Sequence, residues 1–143
     1  MEILPANILD LNALRKLEKE SFDRDAWPVI DLIAVLTFSN VIRLKAMEDR
    51  QMIGFVAGDP HPHEGWGWIA TIAVDPNFRR RGVGTILLRA CEKQLGVPRS
   101  RLTVRKSNLG AITLYEREGY QTMDVWQAYY NDGEDAIVME KTL

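Results

Sequence analysis

The chain has 143 residues, of which 46% are hydrophobic and 27% charged, and its formal net charge is -2 at pH 7. These values are typical of one soluble globular domain, which we predict over residues 1–143. They argue against a protein that binds nucleic acid through a broad basic surface, and no apolar run is long enough for a membrane span, so we expect neither as a partner. The first residues lack the pattern of a signal peptide.

The single cysteine and the two histidines carry little chemistry of their own. Cys91 cannot form an intramolecular disulfide, which favours a reducing compartment and predicts a cytoplasmic location. Its place on the apolar side of a predicted helix indicates a buried structural thiol. His61 and His63 flank a proline, and two histidines without a third ligand nearby predict a surface loop and no metal site.

The first half of the chain predicts two helices followed by three strands. Residues 1–5 are a short extended start, and the apolar residues that follow recur at helical spacing with charged residues between them, which predicts an amphipathic helix. A second helix is predicted over about 28–38, then a hairpin of strands 41–47 and 52–57, a loop over 59–65 and a strand over 66–74. The apolar residues of the first helix are Ile8, Leu11, Leu14, Leu17 and Phe22, and the charged ones are Arg15, Lys16, Glu18 and Lys19.

The second half continues the alternation of helices and strands, which predicts an α/β or α+β fold. A helix is predicted over 82–95, a strand at 102–104, a helix over 108–118 that ends before Gly119, and two strands at 126–130 and 136–140 around a turn. The apolar face of the first of these helices is Val83, Ile86, Leu87, Ala90, Cys91 and Leu95.

The most informative stretch is a strand that runs into a turn with three arginines and two glycines and then opens a helix. The first N–H groups of a helix have no internal partner and carry partial positive charge. Glycine lets an anion approach that backbone, and arginine adds paired donors for phosphate oxygens. The stretch therefore predicts a pyrophosphate site, against the alternative of a solvated basic turn. The candidate cofactor-binding residues of this stretch are Ile72, Ala73, Val74, Arg79, Arg80, Arg81, Gly82, Val83, Gly84 and Thr85.

The segment Arg79-x-x-Gly82-x-Gly84 resembles the acetyl-CoA motif of the GNAT acetyltransferase superfamily, Gln/Arg-x-x-Gly-x-Gly/Ala, and residues 72–76 are also typical of it. The resemblance implies acetyl-CoA as the co-substrate, with the amides of residues 80–85 on its pyrophosphate. It also implies that the backbone at Ile72 and Val74 pairs with the pantetheine arm. The implied fold is a mixed, mostly antiparallel sheet of about seven strands with about four helices and a V-shaped opening between two central strands.

A second segment, residues 108–120, resembles the family pattern Asn-x-x-Ala-x-x-Leu-Tyr-x-x-x-Gly-Phe. Helical spacing places Asn108, Ala111 and Tyr115 on one face, so an amide and a phenol lie two turns apart. The resemblance implies that Asn108 and Ala111 contact coenzyme A and that Tyr115 lies near the thioester sulfur as the acid. Without the arginine-glycine turn, a core tyrosine would be the simpler interpretation.

The chain more closely resembles one branch of the superfamily, the protein N-terminal acetyltransferases, through residues 102–108 and 129–139. In that branch the paired tyrosines, here Tyr129 and Tyr130, help to hold the substrate N-terminus. The resemblance therefore implies a protein or peptide α-amine as the acetyl acceptor. Trp68, on the strand before the turn, is a further candidate for the acceptor groove, whereas the other tryptophans, Trp27, Trp66 and Trp126, are predicted as core or groove residues.

The chain departs from that branch at Thr103, where a glutamate is usual and is the candidate general base. An α-amine has a pKa of about 7.7 to 8.0, so part of it is neutral at pH 7, whereas a lysine amine near 10.4 needs more help. The departure thus favours an α-amine or another amine of low pKa. Replacement carboxylates are Asp23, Asp25 or Glu64.

Two alternatives stay open on the sequence alone. The acceptor can be a small amine such as a polyamine, an amino acid or an antibiotic, or the chain can be a non-catalytic module that senses acetyl-CoA. Thr103 keeps the second alternative open, and the presence of Tyr115 argues against it. The sequence allows a monomer or a homodimer.

Overall fold

The computed structural model describes residues 1–22 and 28–143, which form four α-helices and a sheet of seven strands. The strand order is β1-β2-β3-β4-β5-β7-β6, in which β4 and β5 are parallel and the pairs β1–β2, β2–β3, β5–β7 and β6–β7 are antiparallel. This confirms the predicted mixed, mostly antiparallel sheet. The helices are α1 (Leu11–Phe22), α2 (Val29–Thr37), α3 (Val83–Leu95) and α4 (Leu109–Arg117). The strands are β1 (Glu2–Pro5), β2 (Ile42–Glu48), β3 (Gln51–His61), β4 (Trp66–Val74), β5 (Arg99–Arg105), β6 (Gln121–Trp126) and β7 (Ala136–Thr142).

The chain divides by its internal contacts into two units. The first unit comprises Met1–Pro60 and Ile69–Gly96, and the second comprises His61–Trp68 and Val97–Leu143. The single domain over residues 1–143 stays a prediction. Within the described residues, no helix has the length and apolar character needed to cross a membrane.

In the first unit, a two-residue turn joins β2 to β3. Asp49 and Arg50 both have positive φ, 50° and 66°, which is the geometry of a type I′ hairpin without the usual glycine. One side of β3 then packs against α1 and α2 in an apolar core. Its buried members are Ala6, Leu14, Leu17, Leu32, Val35, Leu36, Met52, Phe55, Ala57 and Ala73.

Two glycines of β3 let α3 lie close to the strand. A Cβ at Gly54 would stand 2.7 Å from Leu87 Cδ1, and a Cβ at Gly58 would stand 2.6 Å from Cys91 Sγ. A side chain at either position would force these side chains of α3, or the helix itself, to shift, so the two glycines permit the close approach of the helix that follows the arginine-rich turn.

In the second unit, β5 pairs with β7 along all seven of its residues, and residues 99–101 pair in parallel with residues 66–68 of β4. A buried hydrogen bond of 2.7 Å joins the hydroxyls of Ser100 and Tyr120 and ties β5 to the segment after α4. The predicted V-shaped opening between the central strands stays a prediction.

Several predicted boundaries are wrong. Strand β3 continues to His61 into the predicted loop, and β5 extends on both sides of 102–104. The predicted strand at 126–130 is displaced: β6 ends at Trp126, and both tyrosines lie in the connection to β7. On α3, Ile86 is exposed and Leu88 takes its place in the core.

Candidate functional site

The turn after β4 is held in place by hydrogen bonds to backbone and side-chain groups of the first unit. The Asp75 carboxylate accepts from the Asn77 N–H at 2.9 Å and from Gln51 Nε2 at 3.2 Å. The Asp75 N–H donates to the Ile53 carbonyl at 2.8 Å. Asp75 is therefore a buried cap that sets the direction in which the chain leaves the strand.

The three arginines of the turn have different surroundings. Arg79 donates from Nε to the Val74 carbonyl and from Nη2 to the Ser21 carbonyl, both at 3.4 Å. Arg81 lies over the Phe78 ring at 4.9 Å and 3.6 Å from the Glu48 carboxylate. Arg80 is exposed, has a positive φ of 66°, and has no ion pair within the described residues.

The amino terminus of α3 is open to an anion. Its N-cap residue, Gly82, is left-handed at φ 78° and offers no side chain to the first-turn amides, and this first turn holds no acidic residue. A Cβ at Gly82 would meet no atom within 4 Å, so glycine is required there by conformation and not by crowding. The amides of Val83, Gly84 and Thr85 therefore have the uncompensated donors and positive dipole end that suit a phosphate group.

The residues of β4 before the turn alternate between core and partial exposure. Ala73 is buried in the core, whereas Ile72 and Val74 are half-buried. The Val74 carbonyl accepts from both Ser21 Oγ, at 3.2 Å, and Arg79 Nε. A carbonyl has two lone pairs, so these two donors satisfy the Val74 oxygen.

In the second unit, α4 begins at Asn108 and buries Tyr115. The Asn108 side-chain oxygen accepts from the Ala111 N–H at 3.2 Å, so two of the predicted coenzyme contacts are bonded to each other as a helix cap. Burial, with a smaller contribution from Tyr130, raises the pKa of Tyr115 to about 12. The phenol therefore keeps its proton throughout the neutral pH range.

A carboxylate and an arginine fix the connection that holds the paired tyrosines. Arg105 Nη1 donates to Glu134 at 2.8 Å and to Asp132 at 3.0 Å, and its guanidinium lies 4.2 Å from the centre of the Tyr130 ring. Glu134 also accepts from the Ser107 N–H at 2.8 Å. Hydrogen bonds from Ser107 and then Arg105 hold the pKa of Glu134 below its usual range. The two segments that carried the branch resemblance thus contact each other.

Aromatic rings of the second unit form a continuous chain. Neighbouring ring centres are 4.8 to 5.9 Å apart, within the range of favourable ring pairs. The chain brings together the three predicted acceptor residues, since Trp126 bridges Trp68 to Tyr129. Its members in order are His61, Trp66, Trp68, Trp126, Tyr129 and Tyr130.

Of the predicted replacements for the missing glutamate, only Glu64 lies within the described residues. Thr103 is half-buried on β5 opposite Val138, and Glu64 is exposed in the turn after β3. Asp23, Asp25 and also Trp27 lie outside the described residues. Cys91 is fully buried, as predicted, and burial raises the pKa of its thiol to about 12. The ring of His61 stacks on Trp66.

One buried acidic residue, Glu18, is not among the site residues predicted from the sequence. Although Glu18 is one of the charged residues between the apolar positions of α1, its side chain is 1% exposed, and burial raises its pKa to about 7. The signal was its spacing: Glu18 follows Leu11 by seven residues and Leu14 by four, so it falls on the apolar face.

Comparison with known proteins relates this chain to acetyltransferases. The Acetyltransferase (GNAT) family profile matches residues 11–120. An uncharacterized N-acetyltransferase of Methanocaldococcus jannaschii is 32% identical over 136 residues, 92% of this chain and 85% of that one. The ribosomal protein bS18-alanine N-acetyltransferase of Salmonella typhimurium is 38% identical over 104 residues, 68% of this chain and 69% of that one.

Similarity to an archaeal N-alpha-acetyltransferase and to a solved bacterial structure points the same way. The Saccharolobus solfataricus N-alpha-acetyltransferase is 40% identical over 81 residues, and the match spans only about half of each chain, 54% of this one and 48% of that one. The crystal structure of the Escherichia coli ribosomal-protein-S18-alanine N-acetyltransferase superposes with a TM-score of 0.89 at 28% identity, covering 99% of this chain and 92% of that one. Because the family profile matches most of the length of this chain, the chain belongs to the GNAT acetyltransferase family.

Proposed function

We propose that this chain transfers the acetyl group of acetyl-CoA to the N-terminal α-amine of a protein or peptide. The observation that carries the proposal is the open amino terminus of α3, with left-handed Gly82 and no side-chain cap, in a chain of a family that uses acetyl-CoA. The acceptor is inferred from relatives named for acetylation of a ribosomal-protein alanine and of α-amines.

The residues present fit the phosphate and pantetheine parts of acetyl-CoA. The first-turn amides of α3 would hold the pyrophosphate, and Arg80 would add charge because Arg79 and Arg81 are engaged elsewhere. The Val74 N–H and the backbone at Ile72 would pair with the pantetheine arm. When bound, acetyl-CoA supplies an acetyl group activated as a thioester.

Asn108, Ala111 and Tyr115 lie in the second unit, and we assign them the roles that the family resemblance implies. The Asn108 oxygen caps α4, so its amide nitrogen is the group left to contact coenzyme A. Tyr115 holds its proton at neutral pH and would donate it to the leaving thiolate. A thiol with a pKa near 8.5 leaves readily, so this donation would assist the reaction without being indispensable.

The acceptor side of the proposal rests on the aromatic chain. Tyr129 is 52% exposed, and Tyr130 is held by Arg105, so the pair offers a rigid and partly accessible surface to a peptide N-terminus. Trp68 belongs to the same chain of rings and would extend this surface. Thr103 in place of a glutamate favours an amine of low pKa, such as an α-amine.

Free-thiol release from acetyl-CoA, measured against short peptides with varied N-termini and against small amines, tests the proposal. We expect turnover on peptides with a free α-amine and none on the same peptides with a blocked one. Turnover on small amines alone would replace the protein acceptor with a small-molecule one. Acetyl-CoA binding without turnover on any acceptor would favour the sensor alternative.

A matched pair of glycine variants tests the cofactor site. Gly82→Asp should abolish acetyl-CoA binding, because it puts a side chain and a negative charge at the proposed pyrophosphate site. Gly65→Asp is the control, since Gly65 has a similar φ of 81° and equally open surroundings but lies in the turn before β4. Binding by calorimetry that Gly82→Asp leaves unchanged would remove the phosphate assignment. A cytoplasmic location and a monomeric or homodimeric state remain predictions.

A further inference from the structure

Glu18 is a buried carboxylate without a partner. It lies on α1 beside Leu17, and neither of its oxygens has a hydrogen-bond partner of good geometry within the described residues. Burying an uncompensated acid is costly, and such groups are normally paired or protonated. Its retention on an otherwise apolar face calls for a function that needs a carboxyl group there.

The polar side chain beside Glu18 is Thr71 of β4. Thr71 is close enough to lower the pKa of Glu18 against the larger effect of burial. Thr71 is half-buried, so it connects the closed environment of Glu18 to a more accessible part of the strand. It also immediately precedes Ile72, whose backbone the proposed function pairs with the pantetheine arm.

A second contact fixes α1 against the same strand. One turn after Glu18, Ser21 Oγ donates to the Val74 carbonyl at 3.2 Å, and the Ser21 carbonyl accepts from Arg79 Nη2 at 3.4 Å. The last turn of α1 is thus tied both to β4 and to the arginine-rich turn. These contacts fix the position of the Glu18 carboxyl group along β4.

We propose that Glu18 accepts, through the Thr71 hydroxyl, the proton that the acceptor amine must lose before it attacks the thioester. This inference rests on the proposed function. The ammonium N–H bond breaks, its proton passes to Thr71 Oγ1, and the Thr71 hydroxyl proton passes to Glu18. The nitrogen keeps the electron pair and bonds to the carbonyl carbon, and the C–S bond breaks with its electrons on sulfur. Tyr115 protonates the sulfur and regains a proton as the nitrogen loses its second one, and Glu18 returns its proton to water.

The acidity of Glu18 suits an α-amine in particular. Its raised pKa of about 7 lies close to the 7.7 to 8.0 of an α-amine, so proton transfer between them is nearly balanced. A lysine amine near 10.4 would hold its proton far more strongly. Glu18 is therefore a positioning residue that favours the acceptor class named above.

Neighbouring charges do not cause the raised pKa of Glu18. The shift is caused by burial, opposed by Thr71. Four elements are concerned among the described residues: α1, the 3-10 turn Ile8–Asp10, α2, and β4 with the residue that follows it. Their charged side chains are exposed or are paired with groups other than Glu18. They are Asp10, Arg15, Lys16, Lys19, Glu20, Asp31 and Asp75.

Acetyl transfer to a free-amine peptide, measured from pH 6 to 9 with acetyl-CoA affinity measured alongside, tests the assignment. Glu18→Gln keeps the size of the side chain and removes the base. We expect kcat/KM at pH 7 to fall on the order of a hundredfold, with the loss shrinking as pH rises and the amine deprotonates without help. The affinity for acetyl-CoA should not change. Glu20→Gln, on the exposed side of the same helix, is the control and should behave as the wild type.

Thr71 gives an independent arm if Glu18→Gln folds poorly. Thr71→Val should reproduce the loss of activity and its pH dependence, and Thr71→Ser should restore both. Wild-type rates and pH profiles in Glu18→Gln or in Thr71→Val would overturn the assignment alone. Absence of turnover in the wild type on every acceptor would overturn the proposed function and this assignment with it.

Discussion

The buried carboxyl of Glu18 should make the stability of this protein fall as pH rises through the weakly acidic range. Its pKa is raised from 4.5 to about 7 in the folded chain, mainly by burial. Between these two values the unfolded chain has released the proton and the folded chain still holds it. The folded state binds more protons there, so the free energy of unfolding decreases with rising pH.

The size of this effect follows from the same two values. A tenfold change in proton affinity is about 1.4 kcal/mol, so the rise from 4.5 to about 7 corresponds to a loss of about 3 kcal/mol. The loss begins near pH 4.5 and is complete somewhat above pH 7. It is a large share of the 5–15 kcal/mol that is typical for a folded domain.

Urea unfolding of the wild type and of Glu18→Gln at intervals from pH 4.5 to 8.5 measures the effect. Other titrating groups are common to both proteins, so the difference between the two free energies isolates Glu18. That difference should move by about 3 kcal/mol in favour of the variant as pH rises. Parallel curves would refute the reasoning, and Glu20→Gln should give parallel curves as the exposed control.

Four further predictions concern the proposed acid, two arginines of the turn and the cysteine. Tyr115→Phe should lower turnover roughly tenfold to a hundredfold and leave acetyl-CoA affinity within about twofold, since only the proton donor is lost; equal rates in stopped-flow assays would remove Tyr115 from the mechanism. Arg80→Ala should weaken acetyl-CoA binding by about 1 kcal/mol, roughly fivefold in Kd by calorimetry, without changing stability. Arg79→Ala should instead lower the free energy of unfolding by about 1 kcal/mol, because its two hydrogen bonds hold the turn, and the reverse pattern would contradict our division of the arginines. Cys91 should not react with a thiol reagent in the native protein at pH 8, given its burial and its pKa of about 12, and rapid labelling would show that α3 opens from the core.

The β4 strand, the turn and the start of α3 could be predicted from the sequence because local chemistry determines them. The apolar run over 66–74, a proline after Asp75 and Gly82 before an amphipathic run each act over a few residues. The sequence could not show that the three arginines of the turn have different roles. Their roles depend on Ser21, Glu48 and Phe78, which are close in space but not all close in sequence.

Strand β6 was misplaced for a physical reason. It is one of the two edge strands of the sheet, and five of its six residues are exposed, so no buried face marks it. Its position is set by pairing with β7, including an irregularity between Thr122 and Asp124, and not by its own residues. The strand was predicted over 126–130 because aromatic residues favour strands, but Tyr129 and Tyr130 lie in the connection between β6 and β7.

Glu18 shows where a charge rule failed and a spacing rule would have succeeded. Glu18 stands with Arg15, Lys16 and Lys19 among the charged residues between the apolar ones of this helix, and its chemistry alone does not mark it as buried. Its helical position, aligned with Leu11 and Leu14, indicates the buried side. A charged residue on an apolar face is therefore the feature to seek when an expected base, here absent at Thr103, must be replaced.

The central claim is tested most directly by locating the acetyl group on a peptide that carries both a free α-amine and a lysine. After incubation with the protein and acetyl-CoA, tandem mass spectrometry distinguishes the two positions. The account predicts acetylation of the α-amine and an unmodified lysine side chain. Acetylation of the lysine instead, or an unmodified peptide despite acetyl-CoA binding, would contradict it.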